Sequence, residues 1–298
     1  MTKVFLTGAT GVLGRRVVPL LTAAGSEVTA VVRTPDKAAL VRAQGATPAE
    51  VDLFDAESVA AAVAGHDAIV HLATNIPTGA AAATRRGWRI NDRLRSEAAV
   101  NLSRAAFASG IGRYVQESIT FPYVDGGDAW IDERRERDYF WGNRTTIDAE
   151  AAAVAITDHG GAGVVLRFAM FMAIDSAHMR TFAAMARRGI WGVFGDDDAY
   201  ISFVDIDDAA AAVVAAIDAP AGVYNVAEPD PVTRGTHRAA LAAAVGRDRL
   251  RGVPGFVETL GGAGAESLAR SHRVSSASLQ AVTQWRPATH VVDDWTRL

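Results

Sequence analysis

The sequence contains no cysteine, which excludes disulfides, thiolate metal sites and a cysteine nucleophile together. The same absence fits a reducing compartment, and a cytoplasmic location is expected. No apolar run reaches the ~18–20 residues that a membrane span requires; the stretch 209–217 is bounded by Asp208 and Asp218. The N-terminus passes from Lys3 straight into Val4-Phe5-Leu6 and a glycine-rich turn, without the apolar core of a signal peptide. No basic stretch tracks along the chain, and its net charge of −4 argues against a nucleic-acid partner. His66, His71, His159, His178, His237, His272 and His290 form no metal-ligand spacing, so no metal is expected. No Gly-x-Ser-x-Gly elbow frames a serine, which leaves an esterase without support.

What is present is alternation. Strands are expected at 3–7, 27–33, 47–52, 68–73 and 113–118, and helices at 11–24, 35–43, 56–64 and 88–109. Gly25, Gly65 and Gly110 close three of those helices, and Pro35 takes an allowed first-turn position in a fourth. A helix at 144–157 and a strand at 163–168 continue the pattern. Beyond them, 178–188 and 207–217 read as helical and 200–204 and 223–226 as extended, with Pro220, Pro229, Pro231 and Pro254 as punctuation. Asp207 and Asp208 read as capping residues, and the mixed-charge run 132–138 as a solvated segment. Nearly continuous apolar strands between helices predict an α/β fold, a doubly wound parallel sheet with helices on both faces.

The first turn carries the chemistry. Thr7-Gly8-Ala9-Thr10-Gly11-Val12-Leu13-Gly14 follows a strand and opens a helix, the context a Rossmann dinucleotide site needs. Gly8 permits the tight turn, Gly11 lets backbone approach a pyrophosphate, and Gly14 lets helix and sheet pack closely. The N–H groups of Thr10, Val12, Leu13 and Gly14 stand at a helix N-terminus, where anions bind. Nineteen residues beyond Gly14, where NAD-preferring sites place a carboxylate, stands Arg33, with Lys37 four residues on. A guanidinium pairs with a 2′-phosphate that a carboxylate would repel. NADP(H) is therefore the expected cofactor, with NAD(H) as second choice. Asp52 and Leu53 close the third strand, Leu72, Ala73 and Thr74 the fourth, Ser118 the fifth and Phe168 the sixth; all stand where ligands of open α/β sheets bind. Residues 1–166 then form the dinucleotide-binding core. Residues 167–298 partly complete it, around 200–226, and partly form a smaller C-terminal substrate lobe.

These segments resemble the extended short-chain dehydrogenase/reductase superfamily, which includes the NAD-dependent epimerase/dehydratase proteins. Residues 7–14, Val51-Asp52-Leu53, His71-Leu72-Ala73-Thr74, Arg113-Tyr114-Val115, Val165-Leu166-Arg167-Phe168, residues 203–209 and Val223-Tyr224-Asn225-Val226 carry the resemblance in the family's order. It implies a bound nicotinamide cofactor and a small-molecule substrate. It also implies a Tyr-x-x-x-Lys pair, and there the chain departs. With Glu150 as the family's glutamate, Gly142 stands at the tyrosine position and Thr146 at the lysine position; with Tyr139 as the tyrosine, Asn143 replaces the lysine. The family's Ser/Thr helper, counted back from Tyr123, falls on Ile119 between Ser118 and Thr120. Tyr139, assisted by Ser118 or Thr120 and with Arg144 as a nearby cation, is the expected proton donor; Tyr123 is a further hydroxyl at the strand ends. Trp141, Trp191 and Phe194 are expected to line an aromatic cleft. The expected activity is NADP(H)-dependent reduction or oxidation of a small organic carbonyl or alkene. The alternatives are a non-catalytic redox sensor and a lyase, isomerase or cyclase on the same fold. The helices at 88–109 and 144–157 offer a face for a homodimer.

Overall fold

The computed structural model describes residues 1–253 and 255–297; Pro254 and Leu298 lie outside the described residues, as do the side chains of Ala80 and residues 255–260. Seven parallel strands make the central sheet. They are β1 (Lys3–Thr7), β2 (Glu27–Val32), β3 (Thr47–Glu50), β4 (Ala68–His71), β5 (Arg113–Ile119), β7 (Ala162–Phe168) and β10 (Gly222–Val226), in the order β10-β7-β5-β4-β1-β2-β3. All seven were expected from the sequence. Pro48 is tolerated because β3 is an edge strand, where a missing N–H breaks no central ladder. β6 (Trp130–Ile131) pairs with β11 (Arg273–Val274), and β8 (Met170–Met172) with β9 (Phe203–Asp205), so the extended segment expected at 200–204 lies outside the main sheet.

Helices cover both faces. α1 (Gly14–Ala23) and α8 (Ile206–Ala216) pack on one side, where Val4, Leu6, Val17, Val70, Val115 and Val213 are buried. On the other side lie α3 (Ala56–Val63), α5 (Ala99–Ala108) and α6 (Thr146–Asp158), over Phe5, Ile69, Leu102, Tyr114 and Val165. Each such apolar side chain taken fully from water contributes ~1.5–3 kcal/mol. α2 (Pro35–Ala43) connects β2 to β3 and starts at Thr34, whose hydroxyl accepts from the Lys37 N–H. The helix expected over 88–109 is not uniform: α4 (Arg85–Arg93) passes through a π-turn at Leu94–Ala98 into α5. The wider turn leaves the Leu94 carbonyl to accept from His71 Nε2, whose Nδ1 accepts from the Thr7 hydroxyl. His71 thus joins β1, β4 and the π-turn, a structural role.

α7 (Ala177–Arg187), α9 (Arg234–Ala244), α11 (Ala277–Val282) and α12 (Val291–Asp294) belong to the second half. So does α10 (Gly255–Ala269), which is broken at Gly262. A third core lies here, built on Trp191, Phe203, Leu241, Val291 and Trp295. Trp191 is therefore interior rather than a cleft residue, in contrast to the sequence expectation. The cap of α8 also differs. Asp205 accepts from the N–H groups of Asp207 and Asp208; Asp207 itself pairs with Arg16, and Asp208 accepts from the amides of Ala288 and Thr289. The mixed-charge run 132–138 is only partly solvated. Glu133 accepts from the Asn225 amide and the Ser278 hydroxyl, and Arg137 reaches Glu150. Among the described residues, no helix is long and apolar enough to cross a membrane.

The buried titratable groups shape how stability changes with pH. Burial pulls the imidazoles of His71, His237 and His272 from 6.5 down to about 4. Between those values the unfolded chain binds protons that the folded chain refuses, so stability rises with pH. Burial pushes the Glu228 carboxyl from 4.5 up to about 7, although it accepts from the Phe203 and Val291 amides. Its contribution is full below 4.5 and is lost as pH rises through 7. The histidines outweigh it until they stop titrating, so the urea midpoint is expected to peak near pH 6.5 and fall toward pH 8. A midpoint still climbing beyond pH 7.5 would contradict this assignment.

Candidate functional site

The glycine turn lies between β1 and α1 at the C-terminal edge of the sheet. Gly8 has φ +76°, and a Cβ there would lie 2.5 Å from the Leu72 carbonyl carbon. A Cβ on Gly14 would lie 2.1 Å from the Gly8 oxygen, so α1 starts where only glycine lets it start. A Cβ on Gly11 would meet only the Gly8 oxygen, at 3.2 Å, which leaves its other side open. The Gly11 N–H closes the turn on the Gly8 carbonyl at 2.9 Å, while the N–H groups of Val12 and Leu13 meet no acceptor among the described residues. A bare-backbone cradle with free donors at a helix N-terminus fits a pyrophosphate. The Leu13 side chain is buried in the core, so only its amide faces outward.

The other expected cofactor residues surround this turn unevenly. Arg33 stands just past the end of β2, exposed, and Lys37 is half-buried on α2; neither pairs with a carboxylate among the described residues. Asp52 is exposed in the turn after β3, where one carboxylate oxygen accepts from the Phe54 amide. Leu53 and Leu72 are buried, with Ala73 and Thr74 increasingly exposed beyond them. Phe168 is 1% exposed and sits in the core, edge-to-face with Phe171 at 5.2 Å. Only its backbone reaches the strand end, where its carbonyl accepts from the Thr120 amide.

Beneath the far end of this edge lies a buried charged network that the sequence did not reveal. Glu150 on α6 accepts from Ser118 Oγ at 2.7 Å and from Arg167 Nε and Nη2 at 2.8 and 2.7 Å. Arg137 also donates to it, at 2.5 Å. Burial works to raise the Glu150 carboxyl, but the hydrogen bonds and charge of Arg167, with the charge of Arg137, hold it below the ordinary carboxylate range. Arg167 also donates to the Tyr123 hydroxyl, which in turn donates to Asn225 Oδ1. The Tyr123 phenol is 1% exposed and pushed by burial up to about 12. Ser118 and Tyr123 are therefore committed to this network, and their hydroxyls anchor the site from below. No motif links these residues; only the fold brings Ser118, Arg137, Glu150 and Arg167 together.

The remaining expected hydroxyls are not so engaged. Thr120 is 3% exposed, and its hydroxyl makes no hydrogen bond among the described residues. Tyr139 Oη is buried and unpartnered, and burial raises the phenol above its ordinary value against the charge of Arg137, which lies 5.6 Å from the ring. Arg144, the cation expected near it, is exposed in the turn before α6. The two tyrosine registers now differ in setting. Gly142 lies in the turn leading into α6 and Thr146 is its first residue, whereas Tyr139 lies in the irregular segment before that turn. A Cβ on Gly142 would lie 2.5 Å from Phe140 Cε2, so a phenylalanine ring fills the space beside the family's tyrosine position.

Comparison with known proteins agrees with this geometry. A 3-diazoavenalumate denitrifying reductase from a Streptomyces species is 27% identical over 97% of this chain and 96% of its own length. Sterol-4-alpha-carboxylate 3-dehydrogenase (decarboxylating) of Dictyostelium discoideum is 33% identical over 26% of this chain and 24% of its own. A human epimerase family protein solved with NADPH superposes with a TM-score of 0.80 at 21% identity, covering 99% of this chain and 98% of that one. UDP-glucose 4-epimerase of Thermotoga maritima, solved with UDP-glucose, gives 0.77 at 18% identity over 99% and 96%. At such identities the structural likeness speaks for the fold alone. The NAD(P)H-binding family matches residues 8–220, from the glycine turn to the loop before β10. The chain belongs to that NAD(P)H-binding family, and its fold is the one seen in the epimerase-family structures.

Proposed function

We propose that this chain is an NADP(H)-dependent oxidoreductase that works as a reductase on a small organic carbonyl or conjugated alkene. The observation that carries the reading is the buried, unpartnered Tyr139 hydroxyl. A buried donor without an acceptor costs ~1–3 kcal/mol, a cost removed when a ligand oxygen arrives. The reductase relative that matches over nearly the whole chain supports the same direction.

NADPH, when bound, supplies the hydride. The free amides of Val12 and Leu13 hold its pyrophosphate, and the unpaired Arg33 and Lys37 favour a 2′-phosphate over a 2′-hydroxyl. Burial raises the Tyr139 phenol further above neutral pH, so Oη carries a proton that it can donate to a developing oxyanion or carbanion. Thr120 offers a second hydroxyl at the end of β5. Glu150 and Arg167 fix Ser118, so the strand end and the start of α6 keep their spacing.

The test is NADPH consumption with a panel of aryl and alkyl aldehydes, ketones and enones, for the unaltered chain and for Tyr139→Phe. General-acid catalysis contributes ~10²–10⁴-fold, so Tyr139→Phe is expected to lower kcat by that order while NADPH affinity stays. Unchanged turnover in Tyr139→Phe removes the residue from its role. No consumption with any acceptor removes the reductase reading.

A further inference from the structure

Resting on the reductase reading, we propose that Trp88, Phe140 and Trp141 wall a subsite for a planar aromatic acid, whose carboxylate is taken by Arg85 and Arg89. The three rings come from two elements, α4 and the turn before α6, that follow β4 and β5 and so stand at the sheet edge beside the glycine turn. Trp88 meets Trp141 edge-to-face at 6.4 Å, and Phe140 meets Trp141 at 5.8 Å. All three are half-buried, so part of each ring remains accessible. Such a cluster at a ligand-binding edge takes flat apolar groups.

Two glycines make the wall. A Cβ on Gly142 would fall 2.5 Å from Phe140 and 3.3 Å from Trp88, and one on Gly264 of α10 would fall 3.4 Å from Phe140. Phe140 thus sits between Gly142 and the C-terminal segment. The missing side chain at Gly142, in the tyrosine position of one register, is what admits the ring.

The charge beside the wall is mainly positive. The Arg85 guanidinium lies 5.3 Å from the Trp141 ring centre. Arg89 follows four residues later on the same helical face, with Trp88 between them in sequence. Further along the same helical run the arginines are compensated: Arg93 pairs with Glu97 and Arg95 with Glu117. Arg85 and Arg89 form no ion pair or hydrogen bond among the described residues, although the chain as a whole is acidic. Asp92, the nearby carboxyl, accepts from the Thr145 hydroxyl at 3.1 Å and divides its charge between Arg85 and Arg95, so it offsets Arg85 only in part.

A second observation points to a ligand. Asn143 is 2% exposed; its Oδ1 accepts from the Phe140 amide, and its Nδ2 has no acceptor. Asn91 is fully buried; its Oδ1 accepts from the Asn75 amide, and its Nδ2 likewise has none. The two residues flank the Asp92–Thr145 contact that joins α4 to the α6 turn. Together with Tyr139 Oη they leave three donors in want of an acceptor on the two segments that carry the aromatic wall. A flat ring bearing a carbonyl oxygen at one end and a carboxylate at the other offers an acceptor to these donors and an anion to the arginines.

The probe is 4-formylbenzoate, compared with its methyl ester by calorimetric titration of the NADP⁺-saturated chain. A charge-assisted arginine–carboxylate pair should make the acid bind about tenfold more tightly than the ester. The double variant Arg85→Gln, Arg89→Gln should erase that difference and leave ester affinity unchanged. Trp141→Leu should weaken both ligands alike. Equal binding of acid and ester by the unaltered chain, equal loss of both in the arginine variant, or binding of neither overturns the proposal. The titration reads binding alone, so a failure of hydride transfer contradicts the reductase reading without altering this result.

Discussion

Glu150→Ala is expected to destabilise the folded chain by about 3–5 kcal/mol, the range for removing one partner of a buried ion pair. Glu150 receives three donating side chains, and Arg167, at 3% side-chain exposure, would be left with its charge uncompensated. Water cannot rescue a guanidinium enclosed between β5, β7 and α6. The loss should appear as a lower urea midpoint at unchanged slope, since the surface exposed on unfolding stays the same. Ser118→Ala removes only one hydrogen bond to the charged carboxylate and should cost ~1.5–3 kcal/mol. The depressed Glu150 carboxyl also sets a sign. Its contribution is present above the unfolded value of 4.5 and is lost as pH falls through the lower folded value, so the variant and the unaltered chain should converge in acid. A Glu150→Ala variant as stable as the unaltered chain at pH 7 would mean the network is not what holds β5, β7 and α6 together.

Gly8→Ala is expected to abolish measurable NADPH binding. The left-handed conformation costs an L-residue ~1–2 kcal/mol, and the new methyl would press on the Leu72 carbonyl, which belongs to backbone. Relief requires β1 and β4 to part at their C-terminal ends, which moves the turn that presents Val12 and Leu13. Gly25 provides the control. Its φ is +82°, yet nothing lies within 4 Å of a Cβ there. Gly25→Ala should therefore show the strain in stability and leave cofactor affinity intact. Equal affinity in Gly8→Ala and the unaltered chain would show that the turn does not hold the pyrophosphate.

The sheet was legible because a doubly wound fold writes itself locally. Val28–Val32, Ile69–Val70 and Val164–Leu166 are apolar runs bounded by glycines or polar turns, and the helix between successive strands settles their parallel direction. The glycine turn was legible for the same reason, since its strand, spacing and helix are contiguous. Tyr139, Thr120, Arg33 and Lys37 could be named from position, and the structure leaves their polar groups unengaged. The Glu150 network could not be read, because Ser118, Arg137, Glu150 and Arg167 share no motif, and charges inside an interior look like surface charges in a sequence. Glu133 and Arg137 were hidden in a run that resembles a solvated loop. Phe168 and Trp191 show the opposite error: a large apolar residue near a strand end or lobe carries no mark that separates cleft from core. The break of the long helix at Leu94 was equally silent, because the π-turn is set by what His71 needs from across the fold, not by a glycine or proline.

Residues 8–14 are proposed to hold a dinucleotide, with Arg33 and Lys37 selecting its phosphate. The measurement that tests it most directly is a titration of the purified chain with NADPH and, separately, with NADH, followed by nicotinamide fluorescence. Saturable binding of NADPH is expected, with NADH weaker by about tenfold or more for the lost arginine–phosphate pair. Equal affinity for the two would contradict the role of Arg33 and Lys37, and binding of neither would contradict the claim itself.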